Sequence, residues 1–220
     1  IVFHYTGMRK EIDAINKLTN EKSKVSSHYF IKKNGEILVL VPDLYVAWHA
    51  GISSWKKYKF LNKYSIGIEI SNPGHDYNYN NYSKKQINSV LKLSNFLIKK
   101  YKIKSKFILG HSDISPDRKK DPGEKFPWKY LSQRKISIWH ELNENQIKKF
   151  RNQKLNELNK IKFLNNLKKI GYPQNKKIKR NIYVEILAKS FQRRFRQELV
   201  NGIIDKECLL ISENLIKKFK

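Results

Sequence analysis

The sequence predicts an α/β protein: a mixed β-sheet flanked by helices, followed by a small three-helix domain. Three observations carry this. Strand-like and helix-like runs alternate from Ile1 to about Trp128. One run, Ser65-Ile-Gly-Ile-Glu-Ile-Ser71, alternates with a period of two, the signature of a strand with two distinct faces. After about Ser137 the strand pattern stops, and basic, helix-periodic sequence takes over.

Ile1 to Tyr5 reads as a strand with His4 near its end, and Thr6-Gly7 breaks the chain before a helix over Arg9–Leu18. Ile12, Ile15 and Leu18 would form that helix's apolar stripe. Val25 to Ile31 and Glu36 to Val41 read as a hairpin around Asn34-Gly35, a strong turn pair. His28 falls in the first of these strands, as a hydrogen-bonded sheet histidine or as a site residue. Trp48 and His49 lie in the loop Ala47-Trp-His-Ala-Gly51, where they would either line a groove or plug the core edge. The segment Asn72–Tyr82, rich in Asn and Tyr, has the length of a rim or lid. Ser83-x-x-Gln86 is a capping box for a helix whose Ile87, Val90, Leu91, Leu97, Ile98 and Tyr101 face the sheet.

Three further helices follow, with stripes at Leu158/Ile161/Leu164/Leu167/Ile170, at Val184/Leu187/Ala188/Phe191/Phe195 and at Cys208/Ile211/Leu215. Gly171 and Pro173 end the first of them. The expected division is 1–137 for a catalytic domain, 138–155 for a helical linker and 156–220 for the helical domain. Cys208, the lone cysteine, excludes an internal disulfide and a multi-cysteine metal cluster, and its place on a stripe makes it a core residue. No apolar run approaches the roughly 20 residues that cross a bilayer. The chain opens inside a strand without a methionine, so sequence ahead of Ile1 is expected to have been removed. The net charge of +27 draws the protein toward polyanions such as nucleic acid, anionic membrane or an acidic wall polymer. No nucleic-acid partner is expected, because the charge is spread along helices and no nucleic-acid-binding motif accompanies it.

Two places carry chemistry. Glu69 shares a strand face with Gly67, between isoleucines; the glycine would leave open space beside the carboxylate. A carboxylate so placed is costly without a partner or a task, and partial burial would raise its pKa into the range of a general base. The second place is the loop Gly110–Gly123, which follows the apolar run Phe107-Ile108-Leu109. It carries His111, Lys119 and Asp121, the last held by Pro122-Gly123, with Asp113 as a capping residue. A histidine, a carboxylate and a lysine on one loop suit a hydrolytic metal site.

Taken together, His4-Tyr5-Thr6, Val25-Ser-Ser-His-Tyr29, Ala47-Trp-His-Ala-Gly51, Ser65-Ile-Gly-Ile-Glu69 and the Gly110–Gly123 loop resemble the zinc-dependent N-acetylmuramoyl-L-alanine amidases of the AmpD/AmiD type. The resemblance covers nearly all of residues 1–135. More loosely, Leu167-Lys-Lys-Ile-Gly-Tyr172, Ser190-Phe-Gln192 and Asn201-Gly202 resemble a small helical peptidoglycan-binding module. The resemblance implies one zinc ion on His4, His111 and Asp121, Glu69 as acid/base and Lys119 as oxyanion partner, and none of these five positions departs from the pattern. It also implies substrate contacts from His28, Trp48, His49, Ala50 and Asn62. Peptidoglycan and muropeptides become the partners, and the bacterial envelope or periplasm the location, with any membrane anchor ahead of Ile1. The rival reading is a peptidoglycan-recognition module of similar fold that binds without cutting. The helical region is expected either to hold the wall or to brace the catalytic domain.

Overall fold

The computed structural model describes residues 1–219; Lys220, the last residue assigned to the helical module, lies outside them. A five-stranded sheet organises the molecule. Its strands are β1 (Val2–Tyr5), β2 (Tyr29–Ile31), β3 (Ile37–Val39), β6 (Gly67–Ile70) and β7 (Leu109–Gly110), in the order β3-β2-β6-β1-β7. All neighbours are parallel except the β2–β3 hairpin, so the sheet is mixed. A two-stranded ribbon, β4 (Ser54–Trp55) with β5 (Tyr58–Lys59), stands apart from it.

The hairpin turns at Asn34-Gly35 as the sequence requires, with Gly35 at φ +89°, a conformation that disfavours any side chain. Helix α1 (Glu11–Thr19) precedes the hairpin, and α2 (Lys84–Tyr101) follows β6. The capping box of α2 closes from both sides: Gln86 N donates to Ser83 Oγ, and Ser83 N to Gln86 Oε1. Val90, Leu93 and Leu97 then pack on the sheet beside Phe3, Ile68 and Ile70. Helix α1 departs from the expected stripe. Ala14 is its buried residue and Ile12 is exposed, because this short helix lies along the rim of a cleft instead of over the sheet.

Past β7 come the one-turn helix α3 (His111–Ile114), then α4 (Trp128–Gln133) and α5 (Glu144–Lys148). The last three helices are α6 (Glu157–Ile170), α7 (Arg180–Phe195) and α8 (Lys206–Phe219). Most of their apolar positions are buried, Cys208 among them. Leu158 and Ile161 are exposed; the buried side of α6 is built by Phe163, Leu167 and Ile170 in its later turns. These helices do not enclose a core of their own. Phe163, Leu167, Phe191 and Leu215 belong to one apolar cluster with Val2, Trp55, Leu109 and Ile114 from the sheet and its loops. The boundaries drawn at 137 and 155 therefore fall inside a continuous core.

Candidate active site

Parallel strands place functional side chains at their C-terminal ends, where loops can close over a ligand. His4 is the penultimate residue of β1, Glu69 the penultimate residue of β6, and the two are register partners. Directly opposed residues of neighbouring strands face the same side of the sheet, so both side chains enter one cleft. His111 enters it from the next strand over, as the first residue after β7. The cleft encloses about 480 Å³; Lys119 and Asp121, from the loop after α3, line it, as do Lys17, Trp48 and His49.

Three donor atoms converge on one point. His4 Nδ1 lies 2.9 Å from His111 Nδ1 and 3.0 Å from Asp121 Oδ2, and His111 Nδ1 lies 3.1 Å from the same oxygen. All three residues are buried, and they form the one group of this kind among the described residues. The far nitrogens decide the tautomers. His111 Nε2 faces the Ala50 carbonyl at 3.1 Å and must donate to it. His4 Nε2 lies 2.9 Å from His49 Nδ1, and His49 Nε2 lies 3.4 Å from the Ser65 carbonyl. A consistent set of donors runs from His4 to His49 to Ser65, leaving both Nδ1 lone pairs bare and aimed at Asp121. Two imine nitrogens and a carboxylate oxygen facing one another form a donor set that a divalent cation satisfies.

The local charges agree. Burial, followed by the neighbouring His111, lowers the His4 pKa to about 4. Burial alone would raise the Asp121 carboxyl, but the His111 and His4 imidazoles outweigh it and hold that group far below the usual carboxylate range. Glu69 is the reverse case. Burial, reinforced by the Asp121 charge, pushes its pKa well above the ordinary value of 4.5, while Lys119 and Lys17 pull it back. Its Oε2 is enclosed and has no hydrogen-bond partner within the protein.

The space beside Glu69 is not open, as the sequence suggested. A Cβ on Gly67 would stand 2.4 Å from His49 Cγ, so the glycine admits the His49 ring. Of the five residues expected to touch substrate, Trp48 and His49 line the cleft and three do not. His28 is the sheet histidine: Gly67 N donates to its Nδ1, and its Nε2 donates to the Tyr45 carbonyl. Ala50 is fully buried, its N–H fixed by Asn62 Oδ1 at 2.7 Å and its carbonyl occupied by His111. Ala50 and Asn62 thus orient the His111 ring from behind. Sequence reasoning missed Lys17, which a rim helix brings to the cleft. It also missed Arg118, whose Nη2 holds the Ile52 carbonyl at 2.5 Å. A basic residue on an amphipathic helix or in a basic loop carries no signal that sets it apart from its neighbours.

A three-donor cation site beside a glutamate whose pKa is raised and whose Oε2 has no protein partner is the apparatus of a metal-assisted hydrolase. Comparison with known proteins gives the kind. The Amidase_2 family, N-acetylmuramoyl-L-alanine amidase, matches residues 1–124. The amidase AmiD of Escherichia coli is 32% identical over all of this chain and 82% of its own length. Its structure in complex with anhydro-N-acetylmuramic acid-L-Ala-D-gamma-Glu-L-Lys superposes with a TM-score of 0.86, over 99% of this chain and 88% of that one. AmpDh3 of Pseudomonas aeruginosa, 30% identical, gives the same TM-score over 99% of this chain and 90% of its own. AmpD of Haemophilus influenzae is 40% identical, but over 50% of this chain and 58% of its own. The chain belongs to the N-acetylmuramoyl-L-alanine amidase family, and it is an enzyme of that class.

Proposed function

We propose that this amidase cuts the amide between the lactyl group of N-acetylmuramic or anhydro-N-acetylmuramic acid and the L-alanine of the stem peptide, using one zinc ion on His4, His111 and Asp121. The observation that carries the reading is the convergence of three ligand-type donor atoms beside an enclosed glutamate oxygen with no protein partner. The substrate follows from the family, and from two relatives whose structures hold anhydromuramyl peptides. The chemistry that zinc supplies at such a site is Lewis acidity, which brings a water's pKa toward about 7 and polarises a carbonyl.

The remaining work belongs to the chain. The Glu69 carboxylate takes a proton from the water that attacks the amide carbon. Its raised pKa then lets it hold that proton until the C–N bond breaks, when the proton passes to the leaving amine of L-alanine. Lys119 brings positive charge to the wall where the carbonyl oxygen becomes an oxyanion. His49 fixes the tautomer of His4, while Ala50 and Asn62 fix that of His111. Trp48, exposed on the rim, offers an indole face to the sugar or the peptide. Such work belongs in the bacterial cell envelope, where the wall and its fragments are found. Among the described residues, no helix is long and apolar enough to cross a membrane.

The test is mass spectrometry of purified muropeptides incubated with the full chain, with and without a chelator. Release of the intact stem peptide, abolished by the chelator and restored by zinc, is the expected result. Cleavage that persists in the chelated, metal-free protein would overturn the metal assignment, and failure of the zinc-loaded chain to cut would overturn the catalytic one.

A further inference from the structure

We propose that Arg194 is a positioning residue for His111, acting through Asp113, so that the C-terminal helices complete the metal site. The inference rests on the reading of His111 as a ligand. Helix α3 has four residues, too few to hold its own orientation. Asp113 stands two residues after His111, and its carboxylate is filled from three directions. Oδ2 accepts from Gly110 N at 2.8 Å and from Arg194 Nη1 at 2.5 Å, and Oδ1 accepts from the Tyr172 hydroxyl at 3.0 Å. The other arm of the same guanidinium, Nη2, donates to the Ile108 carbonyl at 2.9 Å. One side chain therefore grips the backbone ahead of His111 and the carboxylate behind it.

Ser190, one turn earlier on α7, donates to the Ser112 carbonyl at 2.6 Å. Asp113 and Arg194 are each only 1% exposed, and the guanidinium lies over the Trp128 ring at 4.4 Å. Farther along the loop, Gln197 Nε2 donates to the Glu124 and Phe126 carbonyls, and Asn175 Nδ2 to Asp117 Oδ2. The segment that carries His111, Lys119 and Asp121 is thus held along its length by residues from the helical region.

The physical consequence is directional. Without Arg194, Asp113 is a buried carboxylate with no counter-charge, and its least costly escape is to turn toward water. That rotation turns α3 and moves His111 Nδ1 away from His4 and Asp121. Productive sites tolerate only about 0.5 Å of such movement. Lysine cannot replace the arginine fully, because it lacks the planar fork that reaches two acceptors while stacking on an indole.

The test uses the full chain and three variants. Arg194→Gln removes the clamp, Arg194→Lys retains its charge, and Leu215→Ala opens the helical core without touching the loop. Zinc affinity is read by competition with a chromophoric chelator, well below each melting temperature. Backbone amide exchange over residues 110–123 is read in the metal-free proteins. Arg194→Gln should weaken zinc binding by about 10- to 100-fold, the range for an outer partner of a metal ligand. It should also speed exchange in that segment at least tenfold, with Arg194→Lys recovering part of both effects. Leu215→Ala should lower the melting temperature and leave zinc affinity within a few fold.

Unchanged zinc affinity or unchanged exchange in Arg194→Gln would overturn the proposal, and so would an equal loss of zinc in Leu215→Ala. If Arg194→Gln does not fold, Tyr172→Phe, which removes one donor from Asp113 and keeps the ring, decides in its place. Exchange in its 110–123 segment should rise several-fold, and parent-like exchange would refute the clamp. A parent chain that bound no zinc would defeat the metal reading, while the exchange measurements would still decide whether Arg194 orders the loop.

Discussion

His4 and Glu69 reach the cleft from neighbouring parallel strands, whereas His111, Lys119 and Asp121 reach it from a short helix and an irregular loop. The strand wall is fixed by local pairing: His4 sits opposite Glu69, and Val2 N and Thr6 N donate to Ile66 and Ile70 on either side of them. The loop wall has a bond across it, from Ser112 N to the Asp121 carbonyl, local turns onto the Ser115 carbonyl, and the Tyr79 and Tyr82 hydroxyls on the Pro122 carbonyl, and it is gripped besides by helices far along the chain. The two walls therefore fail differently. Loss of the Glu69 carboxylate from the strand wall should alter the chemistry and spare the metal, while loss of a donor, or of a donor's support, on the loop wall should first cost the metal.

The largest effect expected is at Asp121. Asp121→Ala removes the only anionic donor and leaves two imidazoles facing each other, so zinc should be lost and turnover should fall by more than about 10⁴-fold, beyond the reach of one acid/base group. Metal analysis beside a muropeptide assay checks this, and a zinc-replete, inactive variant would put Asp121 on the wrong side of the comparison. Glu69→Gln comes next. Turnover should fall by about 10²- to 10⁴-fold with zinc content unchanged.

The same substitution should stabilise the metal-free fold, and the sign follows from the raised pKa. Below the ordinary value of 4.5, Glu69 is protonated whether the chain is folded or not, and its burial costs nothing extra. As pH rises through the elevated folded value, the native state must hold a buried charge, so stability is lost. Melting curves should show the Gln variant ahead at neutral pH and level with the parent near pH 4. A constant advantage at every pH would mean that Glu69 is not burdened by its charge.

How far each wall was legible in the sequence follows from the same difference. The strict alternation around Glu69, the Asn34-Gly35 turn and the capping box at Ser83 are local patterns, and each corresponds to an element found in the fold. On the loop, the residue types were visible but their support was not. Arg194 and Asp113 are 81 positions apart, and no periodicity marks such a pair. Ala50 and Asn62 are expected as substrate contacts through the family resemblance, yet the Ala50 backbone is consumed in holding His111. The helical region read as a separate domain because its composition changes there. A change of composition marks a change of secondary structure, and it says nothing about whether Leu167 packs on its own helices or also on Trp55.

Lys119→Met tests the loop wall without touching a donor atom. It should cost about 10²- to 10³-fold in kcat, in line with the loss of one oxyanion-stabilising group, while zinc and KM hold. A fall in zinc content would show that this lysine orders the loop instead.

The smallest effect belongs to Trp48, which neither wall depends on. Its backbone is tied to the Ser26 segment, with Trp48 N donating to Ser26 Oγ at 2.8 Å and Ser26 N to the Trp48 carbonyl at 3.2 Å. Its side chain, in a residue 53% exposed, is free of that support. Trp48→Ala should leave the rim in place and remove only an apolar face at the cleft mouth. An aromatic contact of this kind contributes about 0.5–1.5 kcal/mol, so KM should rise roughly 2- to 13-fold. The indole grips parts of the substrate that do not change as the amide breaks, so ground state and transition state lose equally and kcat should stay level. Steady-state kinetics on a soluble muropeptide separates the two constants. A fall in kcat with KM unchanged would place Trp48 among the groups that act on the reacting amide, and would make the rim a third wall of the site.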